Sequence, residues 1–157
     1  MSYPSYPDSK NPRSFEDGLE FQDFVADTLC RELGLAISNF SSRRYQYRFG
    51  ENKQGIEIKL DRRMLETGNV SIEVGEKSRA SNANYVPSGI LRNDNSWLYV
   101  QGNREMFFIF SKKRLVDLYN TNRYRVDELP TIRRFLMPLA DAMKHAEKVM
   151  DFRGTQA

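Results

Sequence analysis

Two stretches decide how this chain is read: GIEIKLD, residues 55–61, and NVSIEVGEK, residues 69–77. Both alternate apolar and polar residues with a period of two, the pattern of a β-strand that buries one face. Ile56, Ile58 and Leu60 then point one way, and Glu57, Lys59 and Asp61 the other. Val70, Ile72 and Val74 separate in the same manner from Ser71, Glu73, Gly75 and Lys77. The intervening RRMLETGN contains Gly68 and Asn69, so a hairpin is the economical connection. A symmetric hairpin centred on Leu65, its strands sharing one core, places Glu57 directly opposite Glu73, with Cβ atoms about 5 Å apart.

Like charges so placed destabilise a sheet unless one carboxyl holds its proton or a cation is gathered. Mg²⁺ and Mn²⁺ suit that position, because both take hard oxygen ligands and keep waters free for chemistry. Lysines alongside can steady a phosphate oxygen or an attacking hydroxide. The same alternation also serves simply to solvate one face of a sheet, with Glu57 and Glu73 paired to Lys59 and Lys77.

Working outward, residues 1–13 carry Pro4, Pro7 and Pro12 among polar residues and read as a flexible N-terminal tail. Ser14, with Asp17 three residues on, opens a helix that runs to about Leu33, and Gly34 is its natural C-cap. Phe21, Val25, Leu29 and Leu33 form its apolar stripe, widened by Phe24. Leu35–Phe40 and Tyr45–Phe49 read as strands, and GENKQG as a turn. Residues 78–96 look irregular. Trp97–Gln101 and Met106–Phe110 are strands around the turn GNRE, and Ser111 is an N-cap for the helix KKRLVDLYN. Leu136–Met150 is read as a final helix with Pro138 near its start, and 151–157 as a C-terminal tail. The order predicts an α/β (α+β) domain over 14–150 with a central sheet.

The 157 residues fit one domain, which by surface scaling buries roughly 70% of its unfolded surface. With 39% hydrophobic and 29% charged residues the chain is globular in composition, and no apolar run approaches the roughly 18 residues of a membrane span. MSYPSYPDSKNPRSF has neither a basic nor an apolar leader region, so no secretory signal is expected and the expected location is the cytoplasm. The single cysteine, Cys30, falls in the apolar helical pattern and is expected in the core. The single histidine, His145, belongs to the charged C-terminal helix and is expected at the surface; without a second His or Cys beside it, a zinc site has no ligand set. G-x-S-x-G, P-loop and G-x-G-x-x-G patterns do not occur, which leaves serine hydrolases, nucleotide hydrolases and dinucleotide binders without a foothold.

Net charge is +3, but its distribution says more. Arg43, Arg44, Arg48, Lys53, Lys59, Arg62 and Arg63 cluster with Tyr45, Tyr47 and Phe49 interleaved, a composition that suits a nucleic-acid backbone and equally an ordinary solvated strand.

A Glu-bearing helix, a strand with an acid after glycine (GIE) and a strand with Glu followed by Lys (IEVGEK) together resemble the PD-(D/E)XK nuclease superfamily, with wording around GENKQGIEIKLD similar to phage or prophage members. The likeness runs from Phe15 to Tyr119. It implies a restriction-endonuclease-like fold, a central mixed β-sheet flanked by helices, and Mg²⁺-dependent (or Mn²⁺-dependent) hydrolysis of DNA phosphodiesters by water. Carried over by position, Glu57 and Glu73 are the metal-binding acids, Lys77 the lysine with Lys59 as its substitute, and Glu20 the helix acid, with Asp23 in reserve. Arg43, Arg44, Arg48, Lys53, Arg62, Arg63 and Arg79 are the expected DNA contacts. The chain departs from the family in lacking Pro-Asp and in placing Lys77 four residues after Glu73, with Gly75 in the usual lysine position. Pairing of two copies by twofold symmetry to cut both strands makes a homodimer an expectation of the same kind. Two other readings stay open: a catalytically silent DNA-binding or assembly protein on the same fold, and a small interaction module without nucleic acid.

Overall fold

The computed structural model describes residues 14–35 and 54–154, and every structural statement concerns these. The strand read at 45–49 lies outside them, as do all but Leu35 of the strand read at 35–40, the tail 1–13, and residues 155–157 of the tail read at 151–157.

Helix α1 (Ser14–Leu33) ends where expected: Gly34 adopts φ +66°, and its N–H and that of Leu35 return to the carbonyls of Cys30 and Leu29 at 3.1 and 3.2 Å. Then follow β1 (Ile56–Leu60), the one-turn helix α2 (Met64–Thr67), β2 (Asn69–Glu76), the short β3 (Val86–Pro87), a 3-10 turn (Gly89–Leu91), β4 (Leu98–Gly102) and β5 (Met106–Ser111). Helix α3 (Lys112–Asn120), β6 (Arg125–Glu128), β7 (Ile132–Pro138), α4 (Leu139–His145) and β8 (Lys148–Asp151) complete the fold.

The architecture is mixed α/β, with two four-stranded sheets in place of the single central sheet expected: β1-β4-β5-β8 and β3-β2-β7-β6. In the first, β1 runs parallel to β4 and the other pairs are antiparallel; the second is antiparallel throughout. The β1–β2 hairpin does not form. MLET coils into a helical turn, the fully buried Met64 anchors it in the core between the sheets, and Gly68 at φ +73° closes it. The chain thereby leaves one sheet and enters the other.

Burial follows the period-two pattern, into two cores and not one. Ile56 and Ile58 pack with Val100, Phe107, Ile109 and Met150 beneath Phe21, Val25 and Leu29 of α1. The opposite face of that sheet, with Tyr99, Met106, Phe108 and Phe110, meets Val70, Ile72 and Val74 of β2, Phe135 and Met137 of β7, and Leu115 and Leu118 of α3. Cys30 is exposed on α1, not in the core, because it lies one position beyond the Phe21-Val25-Leu29 stripe.

The long C-terminal helix resolves into strand, short helix and strand. Phe135 and Met137 alternate inward in β7, Pro138 ends that strand, and beyond α4 the N–H of Glu147 bonds the carbonyl of Ile109 at 2.8 Å and leads into β8. Packing continues past residue 150, since Phe152 stacks edge-on with Phe24 at 6.1 Å. Ser111 caps α3 as read, its Oγ accepting from the N–H of Arg114 at 3.2 Å. No helix among the described residues is long and apolar enough to cross a membrane.

Candidate functional site

On β1, Ile56 and Ile58 are committed to the core under α1, so Glu57 and Lys59 emerge on the opposite face, at the margin of the layer between the sheets. Lys59 Nζ lies 3.2 Å from Glu57 Oε1; the carboxylate side chain is 13% exposed and the lysine 39%. The parallel ladder sets Glu57 beside Tyr99 and Lys59 beside Gln101, both buried.

Tyr99 marks the place where charges from different elements converge. Burial pushes its phenol well above the ordinary range, the charges of Glu57, Glu73 and Asp94 push the same way, and Lys59 opposes them. Glu57 from the first sheet and Glu73 from the second therefore act on one buried hydroxyl. Glu73 stands beside Arg134 in the β2–β7 ladder, but that guanidinium reaches Ser71 Oγ at 3.0 Å and Asp127 at 3.7 Å instead. Among the described residues, no cation is within ion-pair distance of the half-buried Glu73 carboxylate.

Asp61 continues the same face but is occupied. Its Oδ2 accepts the N–H of Ser71 and the side-chain amide of Gln101, each at 3.0 Å, and that amide also donates to the carbonyl of Ser71. This carboxylate is a strut between the sheets.

The remaining sequence candidates lie elsewhere. Glu57 is not opposite Glu73, because β1 and β2 belong to different sheets. The alternation that was to keep 73 and 77 on one face is interrupted by a register shift between Glu73 and Gly75, and Lys77 lies 4.3 Å from the centroid of the Tyr85 ring, with Arg133 also against that ring at 4.5 Å. Glu20 and Asp23 are exposed on α1, whose apolar stripe covers the face of β1 that carries Ile56 and Ile58, not Glu57. Arg62 is bound to Asp17 and Arg63 to Glu66, while Arg79 is exposed. Arg43, Arg44, Arg48 and Lys53 lie outside the described residues. No three acidic, histidine or cysteine side chains among the described residues are gathered so as to hold a metal.

Tyr99 and Gln101 were missed as site residues, though the alternation of LYVQG sets both on one face, away from Leu98 and Val100. A second polar cluster also went unread. Lys112 Nζ donates to the carbonyl of Arg92 at 2.7 Å and to Asp94 Oδ1 and Ser96 Oγ at 3.0 Å, with both charged side chains largely buried. Compared with protein-family models, curated proteins and solved structures, the chain matches none.

Proposed function

We propose that the chain is a metal-dependent nuclease that hydrolyses DNA phosphodiester bonds at Glu57, Lys59 and Glu73, on a restriction-endonuclease-like core. What supports this reading is the Glu57–Lys59 pair of β1, set beside the buried Tyr99, together with the half-buried Glu73 of the other sheet, which has no cation partner among the described residues. Burial raises the Tyr99 pKa, and the charges of Glu57, Glu73 and Asp94 raise it further. Glu57-Ile58-Lys59 also has the acid-x-lysine spacing in the superfamily's name, which favours Lys59 over Lys77 for the lysine role.

Two partly buried carboxylates are a donor set that Mg²⁺ or Mn²⁺ accepts, since such ions are commonly held by one or two carboxylates and fill their remaining positions with water and phosphate oxygens. Glu57 and Glu73 are the residues that would hold the ion, which when bound supplies Lewis-acid polarisation of the phosphate. The chain's own contribution is positional. Glu57 fixes the Lys59 ammonium at the margin of the site, where its exposed end can meet a phosphate oxygen. Tyr99 stays protonated throughout the physiological range and adds no further negative charge.

A second reading, a non-catalytic DNA-binding or assembly protein, is favoured by the engagement of Lys77 with Tyr85 and by the position of Glu20 away from Glu57. The deciding experiment is cleavage of supercoiled plasmid and branched DNA with Mg²⁺, Mn²⁺ or EDTA, using wild type, Glu57→Gln, Lys59→Met and Glu73→Gln. Metal-dependent nicking lost in all three variants is the expected result. DNA binding without cleavage in either metal, equal in wild type and variants, replaces the nuclease with the second reading.

A further inference from the structure

Arg114, Arg123 and His145 come together at a place that shares no residue with the site described above. Arg114 lies on α3, Asn122 at φ +58° turns the chain after that helix and delivers Arg123, and His145 is the last residue of α4. Arg114 Nη2 is 2.9 Å from His145 Nδ1, and Arg123 Nη2 is 3.0 Å from His145 Nε2. A guanidinium can only donate, and a neutral imidazole has one acceptor nitrogen. One of these two contacts therefore sets N–H against N–H, and protonation of the ring turns both into such contacts.

No acid nearby relieves this. Asp141, the carboxylate that acts on the ring, already accepts from Tyr124 Oη at 2.9 Å, and Arg123 donates to that same hydroxyl at 2.9 Å. Among the described residues, no carboxylate is within ion-pair distance of Arg114 or Arg123. Partial burial, then Arg114, Arg123 and Lys144, hold the imidazole below its ordinary value against the opposing charge of Asp141. Two forked donors and a third that can be switched on by a proton are complementary to a tetrahedral oxyanion with several acceptor atoms. A phosphomonoester, carrying about −1.5 to −2 charges at neutral pH, fits such a group better than a singly charged diester.

We propose that Arg114, Arg123 and His145 form a binding site for a phosphate group presented as a phosphomonoester. Binding adds acceptors for both guanidinium groups and for the second ring N–H, so it favours the protonated imidazole.

His145 is the only histidine of the chain, which makes its ring resonances unambiguous in an NMR titration. The full chain is titrated with pH in inorganic phosphate and in chloride of equal ionic strength. The expected result is a saturable response to phosphate alone, with the midpoint of His145 moved upward. Arg114→Gln and Arg123→Gln each weaken phosphate binding roughly tenfold or more, as expected for loss of a charged hydrogen bond. The rest of the spectrum, unchanged, shows that both variants fold. Equal responses to phosphate and chloride, or wild-type phosphate affinity in both variants, overturns the proposal. An oligonucleotide with and without a 5′-phosphate identifies the source: dependence on that phosphate, with tighter binding than inorganic phosphate, assigns the site to a nucleic-acid end, and binding no tighter assigns it to a small phosphorylated molecule. DNA cleavage is not read here, so the outcome is independent of the nuclease proposal.

Discussion

Asp61 accepts the backbone N–H of Ser71 at 3.0 Å, which ties the residue after β1 to the first half of β2, across the boundary between the two sheets. The same oxygen takes the amide of Gln101, and Gln101 is buried. Asp61→Ala leaves these donors without their acceptor and is expected to cost about 2 kcal/mol. Asp61→Asn, which keeps one carbonyl oxygen, costs less. Urea unfolding of both variants measures the difference, and equal losses would show that Asp61 acts through its charge alone.

The Lys112–Asp94 pair ties the loop before β4 to the start of α3. Lys112→Met leaves a largely buried carboxylate without its cation and is expected to cost about 3 kcal/mol. Burial by itself would raise the Asp94 pKa, but the Ser96 hydroxyl and N–H, together with Lys112, bring it below the ordinary 3.8. A folded-state pKa below the unfolded one gives a contribution that is complete above pH 3.8 and is lost as the pH falls through the folded value. The stability gap between wild type and Lys112→Met is therefore widest at neutral pH and narrows in acid. Unfolding measured across that range tests this; a gap independent of pH would exclude the charge pair as its source.

Gly89 adopts φ +56° and its Cα faces the backbone of Glu73, so that a Cβ there would collide with the Glu73 carbonyl. Gly89→Ala carries the left-handed penalty of roughly 1–2 kcal/mol and adds that collision. The expected outcome is a lower unfolding midpoint together with impaired function at Glu73, whereas Gly154→Ala, where nothing lies near, leaves both unchanged. Thermal unfolding and the cleavage assay read the two effects.

If Glu57 and Glu73 hold a divalent ion, the ion stabilises the folded chain by mass action, by about 2.7 kcal/mol at a hundredfold excess over its dissociation constant. Mn²⁺ is then expected to raise the thermal midpoint of wild type and to leave Glu73→Gln and Glu57→Gln unmoved. A rise of the same size in all three proteins would place the ion elsewhere.

The parts of the fold legible in the sequence are those fixed by neighbours along the chain. Gly34 ends α1, Ser111 caps α3, and GNRE turns β4 into β5, all through contacts within a few residues. The partner of β1 could not be read, because its pairing with Leu98–Gly102 depends on which surface Met64 fills after residue 61. Residues 136–150 misled for another reason: Leu139, Ala142 and Val149 all touch the core, and one helical stripe accounts for such spacing as well as strand, helix and strand do. At the candidate site, the charged face of Glu57, Lys59 and Asp61 was visible from alternation, but the role of Asp61 within it was not. The pairing of Glu57 with Lys59 lies within β1 and was open to a reading of the alternation, whereas Asp61 became a strut only through Ser71 of β2 and Gln101 of β4.

The first sheet takes its strands from 56–60, 98–102, 106–111 and 148–151. During synthesis the β4–β5 hairpin can close as soon as it leaves the ribosome, and the second sheet once β7 follows. The outer edge of β5, with Phe107 and Ile109, stays unpaired until Asp151 has emerged. For that interval a nascent chain carries an open apolar edge, the kind of surface that recruits a neighbouring chain in place of its own β8. The emergence of β8 is thus also the step that protects the newly made sheet from its copies.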